Sequence, residues 1–240
     1  MVLWIAAGII TCNVLLLFPT AFWWWTNIVL LPVPIVRHFN PDLEANLFTW
    51  YSSLLLILTS VSALMNFGLD SISRTAPSWR RYAWLWFCVV TLFLSLDEVA
   101  TIHESIGRFL GQQIQGRHGS AEWFNDVGRR WILVYFPGIA AVVASILYVL
   151  MRLWKELPIV ALCALTGVLL WITSLGLEFF LMEVCQRAEI PARCEQGEIL
   201  LEESCEIFGT TAILIAFVWY AHHRVGQLVD IRRLETGAAN

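Results

Sequence analysis

The chain has 240 residues, 58% of them apolar and 14% charged, with a mean hydropathy of +0.68. A soluble domain carries roughly 25% charged residues, so this composition excludes an ordinary water-soluble fold. The formal net charge is -4 and no Lys/Arg stripe is present, which excludes a nucleic-acid partner.

The expected fold class is all-α: a polytopic membrane helix bundle of about six transmembrane helices, forming a single transmembrane domain over 1–240. The first span covers about 2–18, an apolar run ended by Pro19 and followed by Phe22-Trp23-Trp24-Trp25. Such an aromatic cluster prefers the membrane–water interface. No Lys or Arg precedes Arg37, so the basic region of a cleavable signal is missing and the span reads as retained. Residues 26–37 contain Pro32 and Pro34 and read as an interfacial loop. The second span, about 45–67, follows Asn40-Pro41-Asp42, a helix-start signal in which Asp42 and Glu44 favour the positive helix N-terminus. The third is expected over about 82–110, the fourth over 131–150 and the fifth over 158–182, opened by Pro158. The sixth covers about 198–221 and leads into a short polar tail.

Six spans put the N-terminus, the second and fourth loops and the tail on one side. That side holds Arg74, Arg80, Arg81, Arg152, Lys155, Arg224, Arg232 and Arg233 against four acids, Asp70, Glu156, Asp230 and Glu235. The two compact loops are basic, which places both termini in the cytoplasm. Cys12, Cys88 and Cys163 fall within spans as small apolar residues. Cys185 and Cys194 lie in the fifth loop on the outer side, either as a disulfide or as two reduced thiols.

Placed by depth, the acids converge on the outer side. Asp97 stands roughly 22 Å along the third span, with Glu98 next to it and His103 and Glu104 at the outer boundary. Glu178 closes the fifth span, Glu202, Glu203 and Glu206 open the sixth, and Glu44 opens the second. A carboxylate at span depth costs several kcal/mol unless paired, protonated, hydrated or metal-bound. Arg108, Arg129, Arg130 and Arg187 are the nearby counter-charges, too few and too peripheral for the whole set.

Helical spacing puts Asp97 and Glu104 on one face, and Glu202 and Glu206 on another. Glu98 and His103 are five apart, so an unbroken helix cannot offer both to one ion. The set is rich in carboxylates and poor in histidine, which suits Fe, Mn, Ca or Mg rather than a three-histidine zinc site. Candidate metal ligands are Glu98, His103, Glu178, Glu202 and Glu206; candidate acid/base groups are Asp97, His103 and Glu104. Plainer readings compete. Asp97 and Glu98 can pair with an arginine or backbone group. His103 can be an ordinary interfacial histidine. Glu202 and Glu44 can be acids favoured at helix N-termini. His222 and His223 end the sixth helix, and the Gly107/Gly111 pair lies at the outer edge beside Arg108.

Three stretches carry a resemblance: Glu44-Ala45-Asn46 with the following Leu47-Phe48-Thr49-Trp50-Tyr51-Ser52-Ser53; Leu96-Asp97-Glu98 with His103-Glu104; and Glu202-Glu203-Ser204-Cys205-Glu206. Together they resemble motifs of uncharacterised bacterial multi-pass membrane proteins with no assigned activity. The resemblance implies a bacterial inner (plasma) membrane setting. A fainter likeness to the membrane hydrolases that include alkaline ceramidases fails at His222-His223, which are adjacent and on the opposite side.

The leading functional expectation is a membrane-embedded metal-binding protein or a metal-dependent enzyme, the latter acting on a lipid-like substrate at the outer leaflet. The alternatives are a proton- or cation-coupled transporter, in which the carboxylates titrate, and an accessory subunit of a larger membrane complex. The expected partners are membrane lipids, with a membrane-complex subunit or a second copy of the chain as further candidates.

Overall fold

The computed structural model describes residues 1–26, 37–40, 46–73, 76–103, 105–106, 109, 127–186 and 190–237. Within them the regular structure is helical, with no strand among the described residues. The helices are α1 (Val2–Thr26), α2 (Leu47–Ile72), α3 (Ser78–Ala100), α4 (Val127–Leu153), α5 (Pro158–Gln186) and α6 (Pro191–Gly237), with a 3₁₀ turn at Arg37–Phe39. All six are long and apolar enough to cross a membrane. A helix satisfies its own backbone hydrogen bonds, which lipid demands of any spanning segment.

α2 shows how lipid as solvent inverts the usual pattern. Its buried face carries Ser52, Ser53, Thr59, Ser60, Ser62, Asn66 and Asp70, whereas Leu54, Ile57, Leu58, Val61, Leu64 and Met65 point outward. The hydroxyls of Ser53, Thr59, Ser60 and Ser62 all make hydrogen bonds. Ser53 Oγ bonds Ser95 Oγ at 2.8 Å and Ser60 Oγ donates to the Cys88 carbonyl at 2.9 Å, joining α2 to α3. Asn66 Nδ2 donates to the Phe217 carbonyl on α6 at 3.1 Å. Small polar residues that let backbones approach and bond across are the common glue of membrane helices. At its start α2 is capped by Asn46, whose side chain accepts from the Thr49 amide at 2.9 Å.

α6 is the central post. It packs against α1, α2 and α5. Against α5 the approach is closest where Gly167 faces Gly209: a Cβ built on Gly167 would stand 2.5 Å from the Gly209 carbonyl oxygen and 2.5 Å from Ile213. In one half of the bundle Ala63, Trp84, Phe87, Leu150, Val160 and Phe217 belong to a shared core spanning α2 to α6. In the other half Phe48, Leu55, Ile207 and Leu214 pack with Ile9, Leu16 and Leu17 of α1. Asn13 fixes α1 there: its Nδ2 donates to Thr211 Oγ1 at 3.0 Å and its Oδ1 accepts from Tyr51 OH at 2.7 Å.

The largest departures of element ends from the sequence expectation are in α1, α3 and α6. α1 continues through Pro19 to Thr26 instead of stopping before Pro19. A proline within a membrane helix is tolerated because neighbouring groups re-satisfy the freed backbone. α3, expected to run to 110, ends at Ala100, and Thr101 takes a left-handed conformation with φ 46° and ψ 43°. α6 starts at Pro191 and reaches Gly237, well beyond the expected 198–221. Cys185 and Cys194 form a disulfide across the α5–α6 hairpin, which selects the bonded alternative for that pair. Glu44 lies outside the described residues.

The Gly167–Gly209 contact yields a direct test. Gly167→Val should lower the thermal midpoint of the purified protein in detergent by overpacking α5 against α6, at a cost of about 1–3 kcal/mol. Substitution at Gly138, whose Cβ would meet nothing within 4 Å, should leave it unchanged.

Candidate functional site

The acids and His103 at this end of the bundle are positioned by the break in α3. Ala100 ends the helix and Thr101 turns the chain in the left-handed region, a strained conformation for a β-branched residue. A new helical turn follows, in which the Ser105 amide donates to the Thr101 carbonyl at 3.0 Å. The turn swings His103 back over the last turn of α3. Its backbone N–H donates to Asp97 Oδ1 at 2.9 Å and its Nδ1 lies 2.8 Å from Asp97 Oδ2. Asp97 is 9% exposed, so this doubly anchored pair sits largely out of solvent. The break also supplies the distortion that a continuous helix lacks: Glu98 interacts electrostatically with His103 despite their five-residue spacing.

The other side of the site comes from α6. Glu98 interacts with Glu206, and Glu203 interacts with both Glu206 and Glu98. Glu206 also interacts with His103 and accepts a hydrogen bond from Ser174 Oγ of α5 at 2.9 Å. Glu203 Oε2 is buried with no hydrogen-bond partner among the described residues. Tyr135, near the start of the described part of α4, interacts with Asp97. α3, α4, α5 and α6 thus contribute groups to this region.

Of the residues singled out in the sequence, Asp97 and His103 are in direct contact, and Glu98 interacts electrostatically with Asp97, His103 and Glu206. Glu202 is half-exposed and interacts with Cys205 on its own helix. Glu203, one step round α6, is the residue that meets both Glu98 and Glu206. Glu104 lies outside the described residues, as do Arg108 and Arg187; Glu178 lies within α5, with its side chain outside them, and the same holds for Arg129 and Arg130 in α4. The expected shared face of Asp97 and Glu104 assumed an unbroken helix, and the turn at Thr101 removes that assumption. Among the described residues, no group of three or more His, Cys, Asp or Glu side chains has the geometry to hold a metal ion.

Sequence reasoning missed a second polar centre, because it assigned the residues to surface loops. Asp70, at the far end of α2, is fully buried. Arg80 Nε stands 3.0 Å from its Oδ2 and Arg224 Nε 2.9 Å from its Oδ1. Trp84 Nε1 and Tyr220 OH both donate to Oδ2, at 3.1 and 2.7 Å. Arg80 Nη1 reaches on to Glu156 at 2.7 Å, in the turn between α4 and α5, and its guanidinium lies over the Tyr220 ring. The available signal was spacing: eighteen residues separate Arg80 from Glu98 on α3, and eighteen separate Glu206 from Arg224 on α6. At 1.5 Å per residue both intervals are about 27 Å, close to the roughly 30 Å hydrocarbon core. The two charged centres therefore mark two levels of the bundle one membrane apart.

A family model described as "Domain of unknown function (DUF8692)" matches residues 2–221. The chain belongs to that family, whose activity is unassigned. No curated protein and no solved structure matches it.

Removing the Asp70 carboxylate leaves two buried guanidiniums without their anion. Asp70→Ala should destabilise the protein by about 3–5 kcal/mol, read as a large fall in thermal midpoint in detergent. An unchanged midpoint would mean the network does not hold the bundle.

Proposed function

We propose that this family member is a membrane-embedded metal-binding protein, a metal-dependent enzyme acting on a lipid-like substrate at the outer leaflet of a bacterial inner membrane. The observation that carries the reading is the buried Glu203 carboxylate oxygen that has no hydrogen-bond partner among the described residues, beside Glu206 and Glu98, both of which interact with His103. Mutually repelling buried carboxylates cost stability that a bound cation returns. Oxygen-rich donors with a single histidine suit Fe, Mn, Ca or Mg. Glu98, Glu203, Glu206 and His103 are the ligand set on this reading, with Glu178 and Glu202 as outer candidates.

Asp97 anchors His103 through both its backbone and its ring. A carboxylate that holds a histidine nitrogen orients the ring and raises its basicity, which favours proton transfer over electron transfer. A bound metal lowers the pKa of its water, so hydrolysis with His103, Asp97 and Glu104 as acid/base groups is the chemistry preferred here. Lipid access is favoured by α4: among its described side chains, Tyr135 to Leu153, the buried ones are Ile146, Val149, Leu150 and Leu153, in the half remote from the carboxylates. The transporter alternative needs a water path between the two charged levels. The polar face of α2 on that route is hydrogen-bonded to neighbouring helices, which supports the enzyme reading instead.

Both termini are cytoplasmic on this reading. The Cys185–Cys194 disulfide at the acidic end supports an oxidising outer compartment there. The basic residues Arg152, Lys155, Arg224 and Arg233 at the opposite end support a cytoplasmic placement by the positive-inside rule.

Metal analysis of the purified full chain should find stoichiometric metal in wild type and strong depletion in Glu206→Ala. Glu203→Gln, which removes one of the repelling charges, should raise the thermal midpoint of chelator-treated protein while abolishing the upward shift that added metal gives wild type. Absence of stoichiometric metal together with absence of any metal-induced shift in wild type would end the proposal. Separately, a C-terminal reporter active only in the cytoplasm should be active when fused after Asn240; activity solely of an outside-specific reporter would invert the topology.

A further inference from the structure

Serine and threonine hydroxyls in this bundle commonly bond back to the carbonyl four residues earlier on their own helix. On α5, Thr166 Oγ1 donates to the Leu162 carbonyl at 3.0 Å and Thr173 Oγ1 to the Leu169 carbonyl at 2.8 Å. On α6, Ser204 Oγ donates to the Leu200 carbonyl at 2.6 Å. Such back-bonding is the usual local outlet for a hydroxyl inside a helix. Ser174 departs from it. The residue is 1% exposed, and its Oγ donates across the seam between α5 and α6 to Glu206 Oε1 at 2.9 Å.

The seam leaves Ser174 little freedom. Trp171, three residues before it on α5, donates from Nε1 to Thr210 Oγ1, four residues after Glu206 on α6, at 3.1 Å. Trp171 also lies against Gly209, where a Cβ would stand 2.8 Å from the indole ring. Residues three or four apart share a helix face, so the two bonds are successive rungs of one ladder. Only the Ser174 rung ends on a carboxylate. Three residues before that carboxylate on α6 stands Glu203, whose buried Oε2 has no hydrogen-bond partner among the described residues.

We propose that Ser174 is a positioning residue of the cation site: it holds the Glu206 carboxylate in one orientation, so that a divalent ion meets a ligand already in place. The inference rests on the metal-binding reading of this end of the bundle and adds to it a group that touches the ligand and not the ion. Ordering a glutamate side chain costs free energy, and here the side chain is ordered before the ion arrives. Carboxylates that ligate metals are themselves hydrogen-bonded by outer groups that orient them.

Metal-free full chain in detergent would be titrated with Mn²⁺ and with Ca²⁺, each alone, by calorimetry, and its metal-free thermal midpoint read in parallel. Ser174→Ala should weaken binding of the ion that wild type takes more tightly by about 10–100-fold. Ser174→Cys, which keeps the shape but offers only a weak S–H donor, should fall between Ser174→Ala and wild type. Trp171→Phe removes the neighbouring rung, and should lower the metal-free midpoint while leaving the affinity at its wild-type value. Wild-type affinity in Ser174→Ala would overturn the inference. Parallel losses of affinity in Ser174→Ala and Trp171→Phe would overturn it too, by showing that the seam acts only through the packing of α5 on α6. Both of those results leave the metal reading standing, whereas wild type that takes up neither ion ends both.

Discussion

A charge that lies within the thickness of a membrane must be compensated, and the ways in which the two ends of this bundle meet that demand organise the molecule. At one end Asp70 is met by two arginines, an indole N–H and a phenol. These donors come from α3 and α6, so compensating one carboxylate of α2 locks three helices at a common depth. A buried ion pair is a poor source of net stability but an effective register device. Here it sets where α2, α3 and α6 stand against one another. The core of Trp84, Phe87 and Phe217 then packs beneath it with edge and stacked ring contacts.

The other end is built on a different principle. Asp97 is held by His103, and Glu206 by Ser174, while Glu203 keeps a carboxylate oxygen without a partner beside two further acids. Structures that keep strain or unmet polar groups commonly do so where function requires it. Thr101 fits the same pattern: a left-handed threonine costs on the order of 1–2 kcal/mol, and its turn is what puts His103 over Asp97.

Much of the architecture was legible because lipid imposes simple rules. Apolar runs long enough to span, broken by charged or proline-bearing segments, give the six helices and their alternating direction. The contact between Asp97 and His103 was not given by helix rise, which set only their common depth; the turn at Thr101 makes it. What could not be read was local. No residue pattern announces that a β-branched threonine will adopt φ 46°, so α3 was extended past its end and Glu104 was placed by a periodicity that stops before it. On α6 a difference of one position separates Glu203, which meets Glu98, from Glu202, which meets Cys205, and spacing cannot resolve one position without knowing the helix rotation. Asp70 and its arginines were hidden for another reason: charge near the end of an apolar run looks like a loop, and only the packing of three helices shows that it is interior.

The paired eighteen-residue intervals on α3 and α6 carry a consequence for where such a protein can reside. Helix rise is stiff, so the distance between its two charged levels is a fixed ruler rather than an adjustable one. A bilayer much thicker than that ruler would draw carboxylates or guanidiniums under acyl chains, and the bundle would answer by local thinning of the lipid around it. Membrane thickness is then a selective environmental variable for this fold, capable of sorting it among lipid compositions with no sequence signal read by any receptor.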